Sequence, residues 1–234
     1  MCLSLGMILR IMNKENLILI IARGGGTKNV SKQNLRLVNG KPLLYYVLNT
    51  AKSCTNCHTV VSTDSDEIAE YVKFFGGSVI KRSKACSTQH ASTEMVIEEF
   101  LRKYTCDYVV LIQATNLFVK TEHLDKAIKK IINNSKKYDT LLSVVSNRYL
   151  IWKKKKNNCI FPINYNYKKR LRSQDAQTDE YVENGSFYIF KTRGFFKNKN
   201  RLFGKITYFE MPKESIFEVD DKEDLMITKK LITK

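Results

Sequence analysis

No apolar run in this 234-residue sequence approaches the ~20 residues that cross a bilayer, which excludes a helical membrane protein. Proline is scarce, at three in the whole chain, and ten glycines are too few for a collagen-like or low-complexity sequence. Internal repeats are missing too. The opening MCLSLGMILRI is apolar but has no small-residue cleavage site, and polar MNKEN separates it from the next apolar segment. No secretory signal is expected there, so 1–11 reads as an extension ahead of a start at Met12, and the protein is placed in the cytoplasm.

Paired cysteine motifs are lacking as well. Cys54-Thr55-Asn56-Cys57-His58 spells a haem-attachment pattern and half of a zinc site. Haem attachment needs export, and Cys2, Cys86, Cys106 and Cys159 stand alone where a zinc site needs a second pair. Reduced thiols are expected, with the pentapeptide in a loop and no metal or haem held by cysteine.

Acidic residues are the minority. The 23 Asp and Glu against 40 Lys and Arg leave +17, which suggests an anionic partner. The lysines come with many asparagines and isoleucines, a mixture that AT-rich coding bias also yields, and runs such as 153–156 are local. A nucleoside triphosphate explains the sign as well as a polynucleotide does, so no nucleic-acid partner is expected.

What is present is an alternation. The length and 43% hydrophobic content suit one globular domain with an ample core, read over 12–234. Strand-length apolar runs at 17–21, 59–61, 78–80, 108–112 and 141–145 are separated by helix-period segments. Pro42 is placed in the first turn of a helix through Ala51, and a second helix carries Ile68, Val72 and Phe75 and ends at Gly76-Gly77. Further helices are read over 93–104, 121–132 and 222–232, and strands over 186–190 and 206–209. The segment 147–179 breaks the pattern with a basic, Asn- and Tyr-rich stretch, read as an insertion off the sheet. The expected fold is α/β: a three-layer sandwich around a mostly parallel, Rossmann-like sheet.

Ligands in such sheets sit at the C-terminal strand ends. The loop after the first strand reads Ala22-Arg23-Gly24-Gly25-Gly26-Thr27-Lys28. Glycines let backbone N–H groups approach phosphate oxygens, while Arg23 and Lys28 supply countercharge. The loop matches neither G-x-x-x-x-G-K-[ST] nor G-x-G-x-x-G, so a P-loop ATPase or simple dinucleotide site fits poorly. Near the other end, extended geometry across Glu218-Val219-Asp220 puts two carboxylates on one side, a pattern that suits Mg²⁺ as well as it suits the start of a helix. Together the two features suggest Mg²⁺-dependent nucleotidyl transfer. Ser62-Thr63-Asp64 reads as a helix cap, and Asn184-Gly185 as a turn before a strand.

Ala22-Arg23-Gly24-Gly25, Lys28, Asn34, Ser62-Thr63-Asp64, Gln113-Ala114-Thr115, Asn184-Gly185-Ser186-Phe187-Tyr188 and Glu218-Val219-Asp220 stand in the order seen in acylneuraminate cytidylyltransferases. The chain resembles that family, which includes enzymes acting on legionaminic and pseudaminic acids, from about Leu17 onward. The resemblance implies a nucleotide-diphospho-sugar transferase type of fold and a reaction of CTP with a nine-carbon 2-keto (nonulosonic) sugar acid, serving surface glycan synthesis. It implies that Arg23 and Lys28 hold the triphosphate, and that Ala22, Gly24, Gly25, Asn34, Arg82 and Ser92 line the nucleotide pocket. Gln113, Asn184 and Tyr188 would meet the sugar, Glu218 and Asp220 would hold Mg²⁺, and Arg172 would act in catalysis. It also implies a homodimer, with 147–179 as a dimerisation and substrate-lid insertion.

The chain departs from the family pattern at several points. Gly26 is an extra glycine ahead of Lys28, and Glu218 stands where aspartate is usual. Ser173 replaces the second arginine of Arg-Arg-Gln-Asp, leaving Arg172 as the candidate for that role. The loop Gln113 to Val119 lacks the family's arginine. Two other readings stay open: a relative using another nucleotide or a sugar phosphate, and an inactive paralogue that binds nucleotide or nucleic acid.

Overall fold

The structure is a computed structural model whose described residues are 16–25, 32–156, 158–170, 172 and 180–232. In chain order the strands are β1 (Asn16–Ile21), β2 (Leu37–Val38), β3 (Lys41–Pro42), β4 (Cys57–Thr63), β5 (Ser78–Lys81), β6 (Tyr108–Gln113), β7 (Thr140–Ser146), β8 (Trp152–Lys154), β9 (Ile160–Pro162), β10 (Tyr181–Lys191) and β11 (Ile206–Glu210). The helices are α1 (Leu43–Lys52), α2 (Asp66–Phe74), α3 (Thr93–Leu101), α4 (Thr121–Asn133), α5 (Thr192–Asn198) and α6 (Lys222–Ile232).

Seven strands form one sheet in the order β11-β7-β10-β6-β1-β4-β5. The apolar strands are buried on both faces, as their unbroken hydrophobic runs require. Ile18 and Ile20 face one layer, with Leu44, Val47, Leu48, Ile68 and Val72 and with Leu124 and Ile128 of α4. Leu17 and Leu19 face the other, with Ile97 and Phe100 of α3 and Phe195 of α5. The expected α/β/α sandwich is therefore the observed one. All seven expected strands are present, most of them a residue or two longer than read. Helix α5 and the short β8–β9 hairpin escaped the reading.

Strand β10 runs antiparallel to both β6 and β7, while every other pair in this sheet is parallel. The C-terminal ends of β1, β4, β6 and β7 thus meet the start of β10 along one edge. Connections leave β1 toward β4 on one side and pair it with β6 on the other, so this edge carries the crevice where ligands bind in open α/β sheets.

Local chemistry sets the helix starts. Pro42 is not in the first turn of α1 but one residue ahead of it, in extended geometry. The cap of α2 is Ser65, whose Oγ accepts from Ile68 N at 3.3 Å, and not Ser62 or Asp64. That frees both for the work described below.

The insertion leaves the sheet at Ser146 and returns at Tyr181, which are register partners in the β7–β10 ladder. Its base is pinned by Glu180, whose Oε2 accepts from Asn147 Nδ2 at 3.0 Å and from Asn164 Nδ2 at 2.7 Å. Above that base the β8–β9 hairpin carries Trp152, edge-on to Tyr165 with ring centroids 5.9 Å apart. Residues 1–11 lie outside the described part.

At the opposite end of β10, Lys191 is buried and donates to Asp139 Oδ1 at 2.8 Å and to the Ser135 carbonyl at 2.6 Å. The lysine holds the Asp139 carboxyl below the ordinary carboxylate range. A depressed carboxylate adds stability that is present above its unfolded pKa and is lost as pH falls through its folded value. Asp139→Asn should therefore lower the unfolding free energy at pH 7, read from urea curves, by about 2 kcal/mol because one partner is only partly buried. The gap to wild type should shrink below pH 4, as unfolding curves across that range would record.

Candidate active site

The floor of the site is the loop after β1. Ala22 N donates to the Ser62 carbonyl at 3.0 Å, continuing the β1–β4 ladder by one bond. Gly24 N donates to Asp64 Oδ1 at 2.8 Å. A Cβ at Gly24 would lie 2.6 Å from the Ser65 Cβ, so glycine is required there by close approach. Its N–H is committed to Asp64 and is not aimed at a phosphate, whereas Gly25 faces open space. Gly26, Thr27 and Lys28 lie outside the described residues.

Ser62, freed from capping, accepts from Arg82 Nε at 3.0 Å, and its carbonyl accepts from Arg82 Nη2 at 2.9 Å. These bonds fix a largely buried guanidinium at the end of β5, beside the end of β4. Burial lowers the Arg82 pKa, Asp64 counters that, and the nearby charge of Arg23 adds to it. Two guanidinium groups near one another at a strand end form a site short of negative charge.

Between them and β6 lies a cleft lined by Ile21, Arg23, Gln33, Asn34, Thr93, Leu111, Gln113, Ala114 and Thr115. Asn34 is buried, and its Nδ2 donates to the Arg23 carbonyl at 2.8 Å. That bond leaves the Asn34 Oδ1 as a buried acceptor with no hydrogen-bond partner among the described residues. Gln113 closes β6 and lines the cleft as expected. Ser92 caps α3, accepting from Met95 N at 3.2 Å, and it is the next residue, Thr93, that lines the cleft.

The segment carrying Glu218 and Asp220 is fastened to this cleft. Val219 N donates to the Thr115 carbonyl at 3.1 Å, Gln33 Nε2 donates to the Val219 carbonyl, and the Val219 side chain is fully buried. Glu218 and Asp220 accordingly project away from that core on the other side. Burial, with Asp220 and Glu183 adding repulsion, holds the Glu218 carboxyl up at about 7. Burial, Asp224 and Asp221 raise Asp220 too.

A cytidylyltransferase family model matches residues 17–232, nearly the whole of the chain described. The chain belongs to the cytidylyltransferase family. Among curated relatives, N-acylneuraminate cytidylyltransferase B of Danio rerio is 34% identical over 212 residues, covering 89% of this chain and 49% of its own length. Pseudaminic acid cytidylyltransferase of Campylobacter jejuni subsp. jejuni serotype O:2 is 27% identical over 225 residues, covering 92% of this chain and 95% of its own. The chain thus spans about half the length of the vertebrate relatives it matches and nearly all of the Campylobacter one. A solved CMP:2-keto-3-deoxy-manno-octonic acid synthetase complexed with CTP aligns at TM-score 0.67 and 16% identity, over 94% of this chain and 98% of that one, a likeness of fold.

Against the family pattern, the structure gathers Arg23, Asn34, Gln113 and the Glu218–Asp220 segment around one cleft, with Arg82 beside Arg23. It does something else with Asn184. This side chain is buried, its Oδ1 accepting from Ser143 Oγ at 2.6 Å and its Nδ2 donating to Ser215 Oγ at 2.8 Å. Asn184-Gly185 is no turn before a strand. It is an irregularity inside β10, where the register to β7 shifts between Glu183 and Tyr188. Gly185 has a φ of +65°, the left-handed region that favours glycine, and it lies against the Glu218 carboxylate. Arg172 is exposed, and the segment after it, with Ser173, lies outside the described residues.

Tyr188 is buried, donates its hydroxyl to Glu183 and lies under Arg201, whose guanidinium carbon is 4.5 Å from the ring centroid. Burial and Glu183 push the Tyr188 hydroxyl up to about 12. Glu183 and Arg201 were missed in the sequence. Adjacency to Asn184 could have signalled the first; a lone arginine in so basic a chain signals nothing.

The Cys54 segment lies at the far end of β4. The Cys54 thiol donates to Asp125 at 3.0 Å, and His58 meets Ser78 at 3.0 Å. Cys57 and His58 begin β4 itself, so only the front of the pentapeptide is loop. No disulfide joins the five cysteines among the described residues.

Proposed function

We propose that this protein transfers CMP from CTP to a sialic-acid-like, nine-carbon 2-keto sugar acid and releases pyrophosphate. The observation that supports this is a cleft lined by Arg23, Asn34 and Gln113, with Arg82 near Arg23 and with the Glu218–Asp220 segment bonded to Gln33 and Thr115 of its lining. The named activities of the relatives supply the nucleotide and the acceptor class. In the reaction the anomeric hydroxyl of the sugar forms a bond to the α-phosphorus as the bond to the pyrophosphate oxygen breaks. Little covalent work falls to the protein, so positioning and charge neutralisation dominate.

Arg23 and Arg82 would meet the triphosphate, joined by Lys28. The Asn34 Oδ1, already oriented by its partner amide bond, would accept from the exocyclic amine of cytosine; uracil offers a carbonyl there. A buried acceptor left unpaired costs about 1–3 kcal/mol, so the preference for CTP over UTP has a physical source. Asn34→Ala should cut that preference by about tenfold, measured as the ratio of kcat/KM with the two nucleotides.

Glu218 and Asp220 are the residues that would hold Mg²⁺. Their fit rests on carboxylates that crowd one another, with Asp220 adding repulsion to Glu218, and on their being the oxygen donors that Mg²⁺ takes beside a triphosphate. When bound, the ion would offset the charge of the phosphate oxygens. The insertion 147–179 is proposed as the contact between two copies of the chain. Its exposed Ile151, Trp152, Ile160, Ile163 and Tyr167 support that reading, being more apolar surface than one small hairpin leaves bare without a partner. Arg172 and the neighbouring lysines would then reach the substrate carboxylate across the interface.

The test is pyrophosphate release with CTP and Mg²⁺ against N-acetylneuraminic, legionaminic and pseudaminic acids, with ATP, GTP and UTP as controls. Release with one acid and CTP is the expected result. Silence across the panel from folded protein would overturn the acceptor assignment.

A further inference from the structure

The nucleotide chemistry leaves one wall of the crevice unexplained. Leu111 lines the cleft, and its register partner on the next strand is Tyr188, on the same face of the sheet. The buried Tyr188 ring therefore packs beside the cleft-lining Leu111, on the side of β6 away from β1. Over that ring sits the Arg201 guanidinium, and its Nη1 donates to Glu94 at 2.5 Å. Glu94 follows Thr93, the cleft-lining residue of α3. The contact thus ties the 199–205 loop to the helix that borders the crevice. Glu183 takes the Tyr188 hydroxyl from the far side. One atom is left over: the Arg201 Nε is buried and has no hydrogen-bond partner among the described residues.

An arginine of this chain would ordinarily lie on the surface with its head in water. Arg201 is instead only about one-fifth exposed, stacked on an aromatic ring and paired with a carboxylate. We propose that Arg201 is a positioning and specificity-determining residue for the acceptor sugar. It fixes the Tyr188 ring behind the cleft wall at Leu111 and keeps a buried, unpaired N–H donor beside that wall for a substrate oxygen. An acceptor that presents an amide or carboxylate oxygen there is favoured over one presenting a methyl group. The inference rests on the reading of this cleft as the site of a sugar-acid cytidylyltransferase.

The test compares wild type with Arg201→Met and Arg201→Lys, using whichever acid of the panel the wild type turns over. KM and kcat are measured for CTP and for the acid, with a melting curve for each variant. Arg201→Met should raise KM for the acid about tenfold while KM for CTP stays within about twofold. Arg201→Lys keeps the charge opposite Glu94 but loses the planar fork and the Nε–H, so it should recover only part of the loss. Equal changes in both KM values, or a fall in kcat and melting temperature with both KM values unchanged, would reduce Arg201 to a structural role and overturn the inference. Unchanged kinetics in Arg201→Met would overturn it as well. A wild type inactive with every acid would overturn the functional reading and this inference together, whereas an active wild type with indifferent variants overturns the inference alone.

Discussion

Asp220→Ala is expected to lower kcat for pyrophosphate release about a thousandfold, with the melting temperature within a degree or two of wild type. The stability half of that expectation follows from the surroundings. Asp220 is exposed, and it is its backbone N–H, donating to Asp224 Oδ2 at 3.1 Å, that anchors the segment to the start of α6. That bond survives the substitution. Glu218, Asp221 and Asp224 crowd the carboxylate, so removing one like charge relieves repulsion in the free protein. Near-normal turnover in Asp220→Ala, measured with saturating Mg²⁺, would overturn the metal role. A large fall in melting temperature would show the residue to be structural.

The second large effect is on stability. Asn184→Ala should cost about 3 kcal/mol, a fall of some 6–12 °C in melting temperature for a domain of this size. The Asn184 amide joins three segments: Ser143 of β7, its own strand β10, and Ser215 just ahead of the Glu218 segment. Asn116 reinforces the same knot by donating to the Asn184 carbonyl at 3.3 Å and to the Ser215 carbonyl at 2.8 Å. Alanine removes the acceptor of the Ser143 hydroxyl and the amide donor to Ser215 Oγ, leaving those buried groups with only Phe187 N and the Pro212 carbonyl respectively. Assayed well below both melting points, the variant should keep kcat/KM within about tenfold of wild type. The opposite pattern, a normal melting temperature with turnover lost, would return Asn184 to a direct sugar contact.

Asn184 shows where reading a sequence works and where it stops. The strands were legible because burial on both faces demands runs such as Leu17 to Ile21, and a run of that kind is visible without neighbours. Helix α6 was read with its observed bounds, since acidic residues precede its apolar stripe. Helix α5 was not, because Thr192 to Asn198 buries few side chains and carries two aromatics beside a glycine, with no clear period. Within the site, Arg23 was legible from a glycine loop that follows a strand, whereas Gln113 was named by resemblance. The Glu218–Asp220 pair followed from alternation. The job of Ser62 could not be read, because a serine ahead of a helix looks like a cap whether or not an arginine twenty residues later needs its oxygen. Tyr188 was named by resemblance, but the arginine above it comes from a loop that lies beside it only once the sheet has formed.

The crossing of β10 against its neighbours has a consequence for how such a protein can change over time. Because Ser146 and Tyr181 face each other at the rim of the sheet, the chain between them departs and returns at one spot. Doubling the length of such an excursion costs only about 0.6 kcal/mol in closure entropy. Descent can therefore exchange that module wholesale, rewriting what the rim touches, while the triphosphate end, built by β1, β4 and β6, inherits its shape untouched. A transplant of a relative's module between those two residues should fold on this scaffold.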